Sequence, residues 1–197
     1  MGAGMRSSPM LVVVAIGLAT GAVLATLALR CGDEGPLSAD EENIVVTIPL
    51  HPGETGIAWG NLELHNRGSS PLTLDSVTLT PASTQKTLVK RTYVWDEDRL
   101  GIADARTLVA YQMPLPTEWN QVPRHPVAGH VVPPEAESSE KIKIGPEIVV
   151  EFAVPERAVT VTAITVRYHA GRHAYEKTFQ NAITICPPTD LHLCTDE

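Results

Sequence analysis

The sequence lacks the short motifs that identify common enzymes and nucleotide-binding proteins. It has neither of the glycine-rich patterns GxxxxGKS/T and GxGxxG, and it has no HExxH, CxxC or GxSxG. The first two patterns cradle phosphates, and the others supply metal ligands, redox thiols or an activated serine. Their absence argues against nucleotide binding and common hydrolase chemistry. We therefore expect a protein that is not an enzyme and that has no cofactor.

Basic residues are scarce relative to acidic ones beyond the first thirty residues. All 23 acidic residues follow Arg30, whereas only 13 of the 15 Lys and Arg do. The part of the chain beyond Arg30 therefore has a net charge of −10. A surface this acidic repels phosphate backbones, which excludes nucleic acid as a partner. The same part is rich in Val, Ile, Leu and Thr, which predicts a folded core rather than disorder.

Charged residues are absent from the twenty positions between Met10 and Leu29. A helix of that length rises about 30 Å, which matches the hydrocarbon thickness of a bilayer. The sequence therefore predicts a helix that stays in the cell membrane as a single span. Two alternatives remain open, namely cleavage after Ala25 or Ala28 and lipid attachment at Cys31.

The rest of the chain divides by composition. A polar, acidic stretch punctuated by Gly and Pro follows the apolar run and is typical of a flexible linker. Six of the 16 prolines lie between residues 113 and 139, which predicts a long proline-rich loop. We expect a cytoplasmic tail at 1–9, a membrane helix at 10–29, an acidic linker at 30–42 and an extracytoplasmic domain at 43–197.

Apolar and polar residues alternate with a period of two through much of this domain. About seven such segments, separated by turns rich in Gly and Pro, predict an all-β fold of the sandwich type. In the segment 72–79 the apolar set changes phase after Asp75 and Ser76, which predicts a β-bulge or a kink. Gly171 lies between two alternating segments and predicts a short hairpin turn. In the first of these two segments, Thr162, Ile164, Val166 and Tyr168 are expected to face the core.

Two stretches carry a resemblance to a known group of domains. "GNLELHNRGSSPLTLDSVTL" and, later, "KIKIGPEIVVEFAVP" resemble the strand–turn–strand pattern of bacterial extracytoplasmic immunoglobulin-like domains, over about half the chain. The resemblance implies an immunoglobulin-like β-sandwich. Adhesins, chaperones, carriers and accessory modules share that pattern, so it implies no activity.

Three cysteines are present, and two of them enclose the short loop CPPTDLHLC. Cys186 and Cys194 are well placed to form a disulfide outside the cytoplasm. The alternative is a metal site that includes His192. Cys31 is then the odd thiol.

Seven histidines suggest a copper or zinc site as an alternative function. His169 and His173 flank the predicted hairpin turn, and His125 and His130 lie in the stretch RHPVAGH. None of these spacings matches a known ligand pattern. We therefore expect these histidines to be solvated and to bind no metal.

Two tryptophans are candidate interaction anchors. Trp95 precedes the acidic run Asp96–Asp98, which we interpret as a solvated turn, and Trp119 lies in the proline-rich segment. Exposed tryptophans there would bind a protein or a glycan. The alternative is that both rings pack inside the domain.

The sequence thus predicts a membrane-anchored, non-catalytic module. Its partner is expected to be another membrane or envelope protein, with the loop 113–139 as the contact surface. The alternative is an extracytoplasmic metal-handling protein that uses the surface histidines.

Overall fold

The computed structural model describes residues 35–40, 43–60, 62–96, 99, 110–135 and 144–194. This part of the chain has an all-β fold, which confirms the fold class that the alternation predicts. Its elements are β1 Leu37–Ala39, β2 Val45–Pro49, β3 Gly56–Trp59, β4 Leu64–Asn66, β5 Leu72–Thr80, α1 Ala82–Leu88, β6 Val89–Trp95, β7 Ala110–Gln112, β8 His125–Pro126, β9 Val131–Val132, β10 Glu147–Ala153, β11 Val159–Val161, β12 Ala163–Ala170, β13 His173–Phe179 and β14 Ala182–Cys186.

The strands form several hydrogen-bonded sheets. The largest has the order β7-β3-β10-β6-β8, and a four-stranded sheet has the order β13-β12-β5-β9. A three-stranded sheet has the order β11-β14-β2, and β1 pairs with β4. These named pairs are antiparallel, except that β2 and β14 run parallel from Val45 opposite Ala182 to Pro49 opposite Cys186. Strands β2 and β14, which lie near the beginning and the end of the domain in the chain, therefore pair in one sheet.

An inner core joins residues from all of these sheets. The four-stranded sheet contributes alternate residues of β12, and the five-stranded sheet contributes alternate residues of β10; these are Ile164, Val166, Tyr168, Ile148, Val150 and Phe152. The first three are among the four residues that the sequence places in the core, so the prediction is confirmed for them. The fourth, Thr162, is exposed because it lies in the break between β11 and β12. Because side chains alternate across a strand, each of these two sheets turns one face to the inner core.

The five-stranded sheet is covered on its other face as well. An outer cluster of buried residues combines three strands of this sheet with the proline-rich segment, and its members are Ala58, Tyr93, Trp95, Val149, Leu115, Trp119 and Val122. Strand β10 is therefore buried on both faces, which suits its apolar residues, and the carboxylates of Glu147 and Glu151 are buried with them.

The proline-rich segment is a packed cover rather than the plain loop that its prolines predict. It contains a 3₁₀ turn at Trp119–Gln121 and the short strands β8 and β9. Residues 136–139, the end of the predicted loop, lie outside the described part of the chain.

The domain begins before residue 43, the boundary that composition predicts. Leu37–Ala39, inside the expected linker, forms β1, and the side chains of Leu37 and Ala39 are buried in the inner core. Three residues are too few to show a period, so the sequence could not reveal this strand. The predicted tail at 1–9, the helix at 10–29 and Cys31 lie outside the described residues. Among the residues that are described, no helix is long and apolar enough to cross a membrane.

Two local predictions for the four-stranded sheet are confirmed. Arg167 pairs with Ser76 and Tyr168 with Leu74, so Asp75 is the extra residue of a β-bulge. At the hairpin, Ala170 pairs with His173, and Gly171 adopts a φ of 58° in the two-residue turn between them. That left-handed conformation favours glycine.

The predicted disulfide between Cys186 and Cys194 is confirmed. Cys186 ends β14, and the chain between the two cysteines forms a 3₁₀ turn at Pro188–Leu193. Within that turn, the Oδ2 atom of Asp190 accepts a hydrogen bond from the backbone N–H of Ala158 at 3.0 Å. The C-terminal turn is thus held by the disulfide that encloses it and by Asp190 in its middle. The side chain of His192 lies outside the described residues.

Candidate functional site

His125 and His130, two of the candidate metal ligands, meet at the carboxylate of Asp96. Asp96 directly follows β6, which pairs with β8, and His125 lies opposite Val94 in that pair. The Nε2 atom of His125 is 3.3 Å from Asp96 Oδ2, and the Nε2 atom of His130 is 3.0 Å from Asp96 Oδ1. The sequence interpretation of Asp96 as a solvated turn residue was therefore incomplete, because it binds two imidazoles from the proline-rich cover.

The electrostatics of this cluster keep Asp96 ionised. Its close side-chain contact with His130 lowers the pKa of Asp96, and the charges of His130, His125 and Arg99 act in the same direction. Partial burial opposes them. The ionised carboxylate can therefore hold both rings in place.

The same geometry does not give the two imidazoles a shared metal position. Two ligand atoms of a tetrahedral zinc site lie about 3.3 Å apart, because each zinc bond is about 2.0–2.1 Å long. Here the two Nε2 atoms contact different oxygens of Asp96. The ligand atoms of this trio do not all fall within 4.8 Å of one another.

The other predicted pair, His169 and His173, is not brought together. His173 lies opposite Ala170, and directly opposed residues of an antiparallel pair share a face, so His169 points to the other face. The Nδ1 atom of His169 is instead 2.9 Å from the Oδ1 atom of Asp75, the bulge residue. These two histidines cannot ligate one ion in this structure.

Trp95 and Trp119 stack on each other inside the outer cluster. Their ring centroids are 5.0 Å apart with an interplanar angle of 25°. Their exposed fractions are 0% and 4%, so neither ring is open to a partner, and the packing alternative describes both. The expectation of exposed anchors is not met because the proline-rich cover folds back over the sheet.

Glu151 is a buried carboxylate beside this cluster. Its Oε2 atom is 2.9 Å from Arg91 Nε, and its Oε1 atom is 3.8 Å from Arg124 Nε. The Arg124 guanidinium also lies over the ring of Tyr93, 5.3 Å from its centroid. Burial raises the pKa of Tyr93 to about 12, so its phenol stays protonated and does not act as a base near neutral pH.

Arg99 is the centre of a buried ion network that the sequence did not predict. The side chain is 0% exposed, with Nη2 3.4 Å from Glu63 Oε2 and Nε 3.4 Å from Glu147 Oε2. Its Nη1 atom donates hydrogen bonds to the carbonyl oxygens of Asp96 and Gly145 at 3.0 and 2.9 Å. Glycine is needed at 145 because a Cβ there would collide with the carbonyl oxygen of Leu64.

His65 and Asp40 extend this network toward solvent. The Nε2 atom of His65 lies 3.0 Å from Asp40 Oδ1 and 3.7 Å from Glu63 Oε1. In the described residues, Asp40, Glu63 and His65 form the group whose ligand atoms all lie within 4.8 Å of one another. This trio has a geometry that could hold a metal ion.

One sequence signal pointed to this trio. Glu63 and His65 are two residues apart in an alternating stretch, so they share a face, opposite to that of Leu62 and Leu64. Both are 8% exposed in the structure. Asp40 and Arg99 come from distant parts of the chain and had no such signal.

Comparison with protein-family models, curated proteins and solved structures finds no match to this chain.

Proposed function

We propose that this protein is a non-catalytic interaction module, an extracytoplasmic immunoglobulin-like β-sandwich held at the cell membrane by a single N-terminal helix. It binds another membrane or envelope protein through the outer surface of the proline-rich cover, residues 113–135.

The observation that supports this role most is how the cover is fixed. Leu115, Trp119 and Val122 anchor its inner side in the outer cluster, whereas Glu118, Gln121 and Pro123 are exposed between them. A long connecting segment held rigid in this way presents a preorganised surface, which lowers the entropic cost of binding.

The packing of the two larger sheets supports the sandwich. Each contributes one face to the same inner core. Within each sheet the strands pair antiparallel, around β10 in the five-stranded sheet and around β5 and β12 in the four-stranded sheet. These features are typical of two-layer β-domains.

Two features support the proposed localisation at the cell membrane with the domain outside the cytoplasm. The uncharged run at 10–29 is long enough for a bilayer, and the disulfide of Cys186 and Cys194 suits an oxidising compartment. A full-length chain that stays with membranes after a carbonate wash would agree with this localisation, and release into the soluble fraction would contradict it.

Site-specific photocrosslinking in intact membranes tests the interaction surface. A photoreactive residue at exposed Gln121 is expected to give a defined crosslinked protein, and the added variant Glu118→Arg is expected to reduce that product. The matched control is the same probe at Arg172, an exposed turn residue outside the cover. Equal products from positions 121 and 172, or none from 121, would overturn the proposed surface.

A further inference from the structure

His65 presents a buried nitrogen to two carboxylates. Its side chain is 8% exposed, and its Nε2 atom has no hydrogen-bond partner in acceptable geometry despite the 3.0 Å separation from Asp40 Oδ1. When that nitrogen is unprotonated, it lies 3.0 and 3.7 Å from two carboxylate oxygens, and these three electron-rich atoms repel one another. A cation placed between the three atoms removes this repulsion.

The distances suit a small divalent ion. Ligand atoms of a tetrahedral zinc site are about 3.3 Å apart. The separations from His65 Nε2 are 3.0 Å to Asp40 and 3.7 Å to Glu63, so both lie close to that value. Calcium takes six to eight oxygen ligands, whereas zinc takes four ligands and accepts both imidazole nitrogen and carboxylate oxygen.

The local charge also suits a dication. With a neutral imidazole, the carboxylates of Asp40, Glu63 and Glu147 and the guanidinium of Arg99 sum to −2. A divalent ion would balance this charge in a largely buried place. Arg99 and the backbone N–H of Gly145, which donates to Glu63 Oε1 at 2.7 Å, orient the Glu63 carboxylate.

A small cavity adjoins His65, one member of the trio. Its volume is about 30 Å³, enough for one water molecule, and its lining includes His65, Glu135 and Gly145 but neither Asp40 nor Glu63. Asp40 is 62% exposed, which leaves a path to solvent. Three protein ligands and one water complete a tetrahedron.

We propose that Asp40, Glu63 and His65 form a zinc site that clamps β1 to β4. Asp40 immediately follows β1, and this strand is held to β4 by the pairs from Leu37 with Asn66 to Ala39 with Leu64. The ion adds bonds between the two segments at the end of this short ladder. The site is independent of the proposed interaction surface on the proline-rich cover.

Zinc titration of the untagged full-length chain in detergent, after treatment with EDTA, tests this site. The background variant Cys31→Ser removes the odd thiol as a competing ligand. We expect one zinc ion per chain with submicromolar affinity by calorimetry. A hundredfold excess over the dissociation constant is expected to raise the Tm by about 5 to 10 °C.

Variants separate the trio from the other histidines. Asp40→Asn changes a mostly exposed ligand and is expected to weaken zinc binding by about tenfold or more with the fold intact. His65→Gln is expected to abolish binding. The matched control, His169→Gln, removes an imidazole that also contacts an aspartate, and it should leave zinc affinity unchanged. Absence of saturable binding, unchanged affinity in Asp40→Asn, or loss of binding in His169→Gln would overturn the site.

Discussion

Arg99 places a positive charge in the interior between two buried carboxylates. Replacing it with Met would leave Glu63 and Glu147 without this cation, and breaking a buried ion pair costs about 3 to 5 kcal/mol. We therefore expect Arg99→Met to lower the free energy of unfolding, measured in urea, by about that amount.

The matched control is a solvent-exposed ion pair. Arg167 Nε on β12 and Glu176 Oε2 on β13 are 2.6 Å apart, and both side chains are exposed. Arg167→Met should therefore cost less than about 1 kcal/mol. Equal losses for the two variants would contradict a special role for the buried network.

Asp96 should make stability depend on pH. Because the pKa of this carboxyl is lower in the folded chain than its usual value near 3.9, its ionised form stabilises the fold above that pH. The contribution is lost as the pH falls through the folded-state pKa. Asp96→Asn is expected to reduce stability at pH 7 by under about 1 kcal/mol, since the group is partly exposed.

Urea titrations at a series of pH values check this expectation. The difference between the wild type and Asp96→Asn should shrink as the pH falls below about 4 and vanish at lower pH. A difference that stays constant across the series would show that the effect comes from packing rather than from ionisation.

The proline-rich cover depends on a few inward-facing residues. Trp119 is 4% exposed and stacks on Trp95 at 5.0 Å, so Trp119→Ala would open a cavity over the five-stranded sheet. Such a truncation costs about 3 to 5 kcal/mol. We expect that loss of stability together with rapid proteolysis within residues 113–135. Val131→Ala, at a half-exposed position of β9, is the control and should change little.

The longer strands could be predicted from the sequence, but the shorter elements could not. Leu72, Leu74 and Val77 show both the alternation of β5 and the phase change at its bulge. In contrast, β1 has three residues and α1 has seven, so neither spans enough residues for a period to be visible. In the proline-rich segment the prolines predict a loop, and the apolar residues between them were not recognised as a packing face.

For the histidine clusters, the sequence could predict only the members that are close together in the chain. His125 and His130 are close in the chain and do meet, but their partner Asp96 comes from another strand. Glu63 and His65 share a face by their spacing. Only the folded structure shows that this face is buried and that Asp40, directly after β1, joins it.

The C-terminal disulfide affects the stability of the whole molecule through the unfolded chain. By the chain-entropy argument, closing the short loop between Cys186 and Cys194 stabilises the fold by about 2.5 kcal/mol. We expect the double variant Cys186→Ser and Cys194→Ser to lower the Tm by about 5 to 10 °C while the β-type circular dichroism spectrum persists. An unchanged Tm, or loss of the β spectrum, would contradict this view of the bond.

The parallel pairing of β2 with β14 has a mechanical consequence. After β1 the chain enters β2 at its N-terminal end, and near the end of the domain it leaves β14 at its C-terminal end, so tension on the two ends pulls these strands in opposite directions along their axes. Once the short β1–β4 pair has separated, the ladder from Val45–Ala182 to Pro49–Cys186 is loaded in shear. Its hydrogen bonds must then break together rather than one after another. A domain tethered at one end and pulled at the other would resist force best along this direction.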